Sequence, residues 1–133
     1  MKIVKILMIS LALSASLVAC KKDDKVDVKV PEVKVEGSYE GKIGSNSTIP
    51  NGFFGIKLKA GGVIERFNDS KEVTGTGTWK LDGTKLTAGY EGSNGVKVTI
   101  EAQHDKYLGK FSGTWSNSSG LSGTWYASQK SLQ

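Results

Sequence analysis

Between residues 74 and 102 apolar and polar positions alternate through three successive segments. Gly75, Gly77, Trp79 and Leu81 share one face, and Thr74, Thr76, Thr78 and Lys80 the other, because neighbouring side chains of a strand point to opposite sides. Leu86, Ala88 and Tyr90 then oppose Lys85, Thr87 and Gly89, and Val96, Val98, Ile100 and Ala102 oppose Lys97, Thr99 and Glu101. Farther on, Tyr107, Gly109, Phe111, Gly113 and Trp115, and after them Leu121, Gly123, Trp125 and Ala127, fall on single faces. One apolar and one polar face per strand describes an antiparallel sheet around a single core.

Turn residues cut this region at short intervals: Asn51-Gly52, Gly61-Gly62, Asn68-Asp69-Ser70, Asp82-Gly83, Asn94-Gly95, His104-Asp105 and Asn117 to Gly120. Glycine, asparagine and aspartate accept the positive φ that tight hairpins need. The pattern predicts eight strands, at residues 37–43, 53–59, 63–68, 74–81, 84–90, 96–102, 106–115 and 121–128, with no segment of helical period. Hairpin-length connections throughout favour an up-and-down barrel, since closure removes exposed edges. The expected fold class is therefore all-β, an eight-stranded antiparallel up-and-down barrel.

The third segment breaks the alternation. Val63, Glu65 and Phe67 form one face, Ile64, Arg66 and Asn68 the other. Two large apolar residues against one place Glu65 inside. A buried charge is costly unless paired, so Glu65 is read either as a satisfied structural residue, at a bulge or a rim, or as a ligand handle.

Gly-Thr-Trp occurs three times, at Gly77-Thr78-Trp79, Gly113-Thr114-Trp115 and Gly123-Thr124-Trp125. Glycine lets a strand bend and leaves room for a large neighbour, threonine favours the β-conformation, and tryptophan fills the interior. Tyr39, Phe54, Phe67, Trp79, Tyr90, Tyr107, Phe111, Trp115 and Trp125 are read as inward rings, with glycines between them. Large residues alternating with small ones pack a small barrel solid, so a mostly filled core with a shallow cup at one mouth is expected. Glu65, Trp79, Trp115 and Trp125 are the candidate ligand contacts.

Before the barrel lie Lys2 and Lys5, an apolar run from residue 6 to 18, and Leu17-Val18-Ala19-Cys20. This is the layout of a secretory signal. The run falls short of the roughly 20 apolar residues that a membrane-spanning helix needs. Leu17 to Cys20 resembles the lipobox of bacterial lipoproteins, and the resemblance implies a lipid on Cys20. The predicted organisation is a signal peptide at 1–19, a lipidated cysteine and tether at 20–35, and a barrel domain at 36–133. Lys22-Asp23-Asp24 resembles the export signal that sends Bacteroidota lipoproteins to the cell surface; its bland alternative is a solvated charged linker. Residues 25–35 alternate valine with charge and are read as an extended tether. The competing reading is an edge strand presenting Val26, Val28 and Val30, ended by Pro31.

Over residues 36–130 the chain resembles the small lipocalin-like β-barrel lipoproteins of Bacteroidota. The resemblance rests on Gly-Thr-Trp-x-Leu-x-Gly-x-x-Leu-Thr at 77–87 and on the closing Gly120, Leu121 and Gly123 to Trp125. It implies a calycin-like architecture, an outer-membrane location and a tether to the membrane, and it implies no ligand.

Charge and chemistry narrow the function. The formal net charge is +5, but residues 36–133 hold only eleven basic against nine acidic side chains. No cationic stripe with interleaved aromatics exists, so nucleic acid is not an expected partner. The single cysteine, if lipidated, leaves no disulfide. His104, the only histidine, sits between Gln103 and Asp105 and is read as a solvated turn residue. It has no second histidine at ligand spacing, so neither a metal nor a cofactor is expected. Serines lack a base and an orienting partner, and Glu65, Glu91 and Glu101 lie on separate segments, so the chain is not expected to be an enzyme. The loop at 44–51 carries Ile49 and Pro50 in a polar stretch. It is read as folding Ile49 against the barrel rim, with a lid or a partner contact as the alternative. Phe53 and Tyr126 point outward by alternation and, if adjacent, form an aromatic patch. The expected function is that of a monomeric, lipid-anchored, non-catalytic envelope barrel that binds a small or carbohydrate-type ligand at a mouth. The alternative is a protein-interaction or inhibitor module with a solid core that binds through its loops.

Overall fold

The computed structural model describes residues 34–46 and 48–130. The readings made above for Cys20 and for Val26, Val28 and Val30 therefore lie outside the described residues. Eight strands follow in order: β1 (Gly37–Ser45), β2 (Gly52–Lys59), β3 (Val63–Phe67), β4 (Val73–Asp82), β5 (Lys85–Gly92), β6 (Lys97–Asp105), β7 (Lys110–Asn117) and β8 (Ser122–Gln129). Each pairs with the next, and β8 returns antiparallel to β1, closing the barrel. The β2–β3, β4–β5 and β6–β7 turns lie at one end with both termini of the barrel; this end is the base. The other four loops form the crown.

The turns carry the expected chemistry. Gly83, at φ +62, takes the first central position of the two-residue β4–β5 hairpin, the place that a type II′ turn requires. Between β7 and β8 the Asn117 side chain accepts the backbone N–H of Ser119 and of Leu121, both at 3.0 Å. Leu121 is thereby held in the turn and is half exposed, not inward as alternation predicted. Tyr107 is corrected in the same way. Asp105 accepts the N–H of Tyr107 and of Leu108 at 3.0 Å, and Gly109 follows at φ +62. Residues 106–109 are thus a turn, and both Tyr107 and Leu108 stand exposed at its tip.

The core is contributed by every strand. Phe54, Ile56, Ile64, Leu86, Ile100, Phe111 and Trp125 are at most 1% exposed. Inward rings face glycines in the next strand: Phe54 pairs with Gly41, Tyr90 with Gly77, Trp125 with Gly113 and Trp115 with Gly123. The reason is close approach. A Cβ on Gly77 would overlap the carbonyl oxygen of Gly89, and one on Gly113 that of Glu101. The strands coil so tightly at these points that no side chain fits, and the space in front is taken by the neighbouring ring.

At the base the incoming chain is pinned. The Gln129 amide donates to the carbonyls of Lys34 and Glu36 at 2.7 and 3.0 Å, and the Tyr39 hydroxyl donates to Val35 at 2.6 Å. Val35 itself packs against the core. Burial, and secondarily the charge of Glu36, pushes the Tyr39 phenol up to about 12.

Candidate functional site

The charge inside the barrel is Arg66, not Glu65. The β2–β3 hairpin pairs Leu58 with Ile64 and Ile56 with Arg66, and directly paired residues share a face. Ile64 is fully buried with Leu58, so Arg66 follows it inward. Glu65 lies on the outer wall, 3.7 Å from Lys59. Phe67 points outward as well. Its ring covers Gly55 and lies 6.1 Å from Phe53, with the Lys71 ammonium over both rings. Phe67 is buried, but on the outside of the wall and apart from the core cluster. Apolar residues on both faces of β3 are what misled the count of inward residues.

Arg66 sits near the crown with its guanidinium 4.6 Å from the centre of the Phe54 ring. One terminal nitrogen donates to the carbonyls of Gly55, at 3.1 Å, and of Phe67; the other donates to Phe53 at 3.2 Å. The β3–β4 register shifts between Arg66 and Phe67, and the arginine gathers carbonyls where β3 ends. The Tyr90 phenol lies near enough to the same guanidinium for each group to shift the other's titration. Burial raises the Tyr90 pKa, and the arginine charge opposes that rise. Burial lowers the Arg66 pKa, which Tyr90 opposes. A guanidinium stays protonated throughout the working range of proteins. No described carboxylate forms an ion pair with Arg66. Three carbonyl dipoles solvate the cation without neutralising it.

The tryptophans are not gathered around one pocket. Trp79 is half-buried at the base, its indole donating to Lys59 at 2.9 Å. Trp115 lies toward the crown and donates to Gly44 at 2.8 Å; Trp125 donates to Thr114 at 3.0 Å and packs 4.9 Å from Phe54. Grooves of about 510, 240 and 340 Å³ lie along the outer wall, and one of about 540 Å³ flanks the β6–β7 turn at the base. They are lined chiefly by outward residues such as Thr99, Thr124, Lys57 and Thr76.

Three further readings change. His104 is buried, not solvated. It takes the next inward position of β6 after Ala102, pairs with Phe111 in β7 and stacks on that ring at 4.5 Å. Its Nε2 is buried without a hydrogen-bond partner. Burial holds its pKa below the ordinary value, and Asp105 pulls the other way. Ile49 does not fold against the rim: it is 86% exposed at the crown. Phe53 and Tyr126 are not adjacent, because both pair with Lys42, which runs between them. Among the described residues no three His, Cys, Asp or Glu side chains gather as a metal site.

The residues that sequence reading missed, Arg66 with Tyr90 and Phe54, had one available signal. A β2–β3 turn centred on Gly61 pairs Lys59 with Val63 and Leu58 with Ile64, which sends Ile64 and Arg66 inward. These features define a closed eight-stranded antiparallel barrel, of the form that lipocalin-like proteins share, with an unneutralised cation near one mouth. Comparison with family models, curated proteins and solved structures finds no match to this chain.

Proposed function

We propose that this protein is a lipid-anchored, non-catalytic binding barrel of the bacterial envelope that takes a small anionic ligand at its crown. The observation that carries the reading is Arg66, a partly buried guanidinium stacked on Phe54 with no carboxylate to neutralise it. An uncompensated charge in a low-dielectric setting is costly. A carboxylate or similar anion recovers part of that cost, and a guanidinium binds it through two parallel donors. Tyr90 adds a hydroxyl beside it. The anchor rests on Leu17 to Cys20 and the surface address on Lys22-Asp23-Asp24, within the Bacteroidota lipoprotein resemblance.

Native mass spectrometry of the chain from residue 20 onward, looking for a co-purified anion, tests the ligand. Hexanoate and benzoate serve as probes in a thermal-shift assay, where a rise in Tm that Arg66→Lys abolishes supports the reading. No co-purified molecule and no shift with either probe sinks it. The anchor is tested apart from this, by incorporation of a labelled fatty acid that Cys20→Ala removes.

A second reading has its own observation. Ile49 stands exposed at the tip of an uncharged crown loop, which supports a protein partner contacted through loops. Capture of a partner that Ile49→Ser abolishes and Arg66→Lys does not would favour it.

A further inference from the structure

The two ends of the barrel differ in charge and in what they expose. Counting loops and the outermost one or two strand residues, the base carries Lys34, Lys59, Lys85, Lys106, Lys110 and Lys130. Against these stand Glu36, Asp82 and Asp105. At the crown the charges balance: Asp69, Glu72 and Glu91 stand against Arg66, Lys71 and Lys97. Lys59 is engaged with Glu65 and Lys130 with Glu40, while the Lys106 and Lys110 ammonium groups lie 5.4 Å from the ring centres of Tyr107 and Tyr126. Asp105 turns its carboxylate to the backbone of its own turn.

That turn carries the second observation. Tyr107 is 55% and Leu108 72% exposed, side by side at the tip, with Lys106 and Lys110 on either side. The Asp105 hydrogen bonds and the positive φ of Gly109 hold the turn in one shape, so presenting the pair to a partner costs little ordering entropy. Tyrosine is favoured at the boundary between headgroups and acyl chains, where its ring is apolar and its hydroxyl wet. Leucine beyond it reaches the apolar side, and flanking lysines are attracted to anionic headgroups. The chain also comes into the barrel at this same end, at Lys34.

We propose that the base of the barrel docks on an anionic lipid bilayer, with Tyr107 and Leu108 inserted at the headgroup boundary and Lys106 and Lys110 on the headgroups. The crown, with Arg66 and Ile49, then faces away from the membrane. This goes beyond the ligand reading and needs only a tether, whichever group provides it. A tether fixes the barrel at a local concentration on the order of millimolar, so a contact too weak to recruit free protein still sets its orientation.

The test uses the chain from residue 20 onward, coupled through Cys20, its only thiol, to a maleimide lipid in nanodiscs. Amide exchange is compared between phosphatidylglycerol-containing and pure phosphatidylcholine discs. Exchange at residues 106–110 slows about threefold or more on anionic discs, and the crown turn at 118–121 is unchanged. High salt and the pair Tyr107→Ser with Leu108→Ser each remove the effect, while the thermal midpoint of that variant stays within a degree or two of the parent, as expected for exposed positions. Equal exchange on both lipids, or protection at the crown instead of the base, overturns the proposal. Protection that survives the double substitution overturns it as well. Coupling through the thiol makes the outcome independent of whether the cell lipidates Cys20.

Discussion

Trp125 of β8 lies directly across from Gly113 of β7, and two residues along Trp115 lies across from Gly123. The second and third Gly-Thr-Trp tripeptides are therefore one structural device. Set antiparallel, each supplies the empty position that the other's indole fills, with Thr114 and Thr124 paired on the outer wall between them.

Gly113→Ala is expected to destabilise the barrel by about 2–3 kcal/mol, because the added methyl meets the backbone of Glu101 and Ala102 and not a movable side chain. Gly89→Ala is the control. Its added methyl finds only the Val98 carbonyl at 3.6 Å, and it should be neutral or gain a few tenths of a kcal/mol. Urea denaturation of both variants checks the contrast, and equal losses would refute the close-approach argument.

Arg66→Met should cost about 2–3 kcal/mol, since the carbonyls of Phe53, Gly55 and Phe67 lose their side-chain donor together. The Tyr90 phenol, now without a cation beside it, should titrate at a higher pH than in the parent. Ultraviolet titration of tyrosinate reads the second effect; a downward shift would contradict the contact.

His104 links stability to acid. Burial keeps its folded pKa below the unfolded value of about 6.5, so its contribution is fully present above that pH and is lost as pH falls through the lowered folded value. His104→Leu removes a buried nitrogen that has no partner and should be neutral or stabilising by about 1 kcal/mol near neutral pH. The urea midpoint of the variant should also fall less between about pH 7 and pH 5 than that of the parent. A variant as acid-sensitive as the parent in that window argues against the assignment.

Lys71 occupies a position built for glycine. The loops Asn68 to Glu72 and Asn117 to Leu121 share one pattern, with asparagine bonds to the third and fifth residues, and the fourth residue at positive φ is Lys71 in one and Gly120 in the other. Lys71 keeps the strained backbone and binds Glu40 while covering Phe53 and Phe67. Its hydrogen bond is the main reason the Glu40 pKa is lowered. Lys71→Ala should lose about 1 kcal/mol, and Lys71→Gly should recover most of that loss through backbone relief. Thermal unfolding that ranks alanine at or above glycine would rule the strain out.

The alternation of β4 to β8 was legible because those strands have one apolar and one polar face, and a period of two then leaves a single choice. β3 was not legible by that rule. Ile64 faces the core while Phe67 covers Gly55 outside, so counting apolar residues on each face selects the wrong side. His104 and Tyr107 exchanged roles for a related reason. Gln-His-Asp reads locally as a turn, yet β6 continues because the His104 N–H donates to Thr84 and its ring stacks on Phe111, and Asp105 ends the strand two residues before Tyr107.

The sequence by itself determined the number of strands, most of their boundaries and the glycine–tryptophan code of the wall, because side-chain period and turn propensity act over a few neighbouring residues. Only the tertiary structure decided which charge lies inside, which end is basic and what stands exposed there. Those properties depend on pairing between segments distant in the chain, where the register of one hairpin carries Arg66 inward and closure of the barrel brings six lysines to the end where the chain comes in.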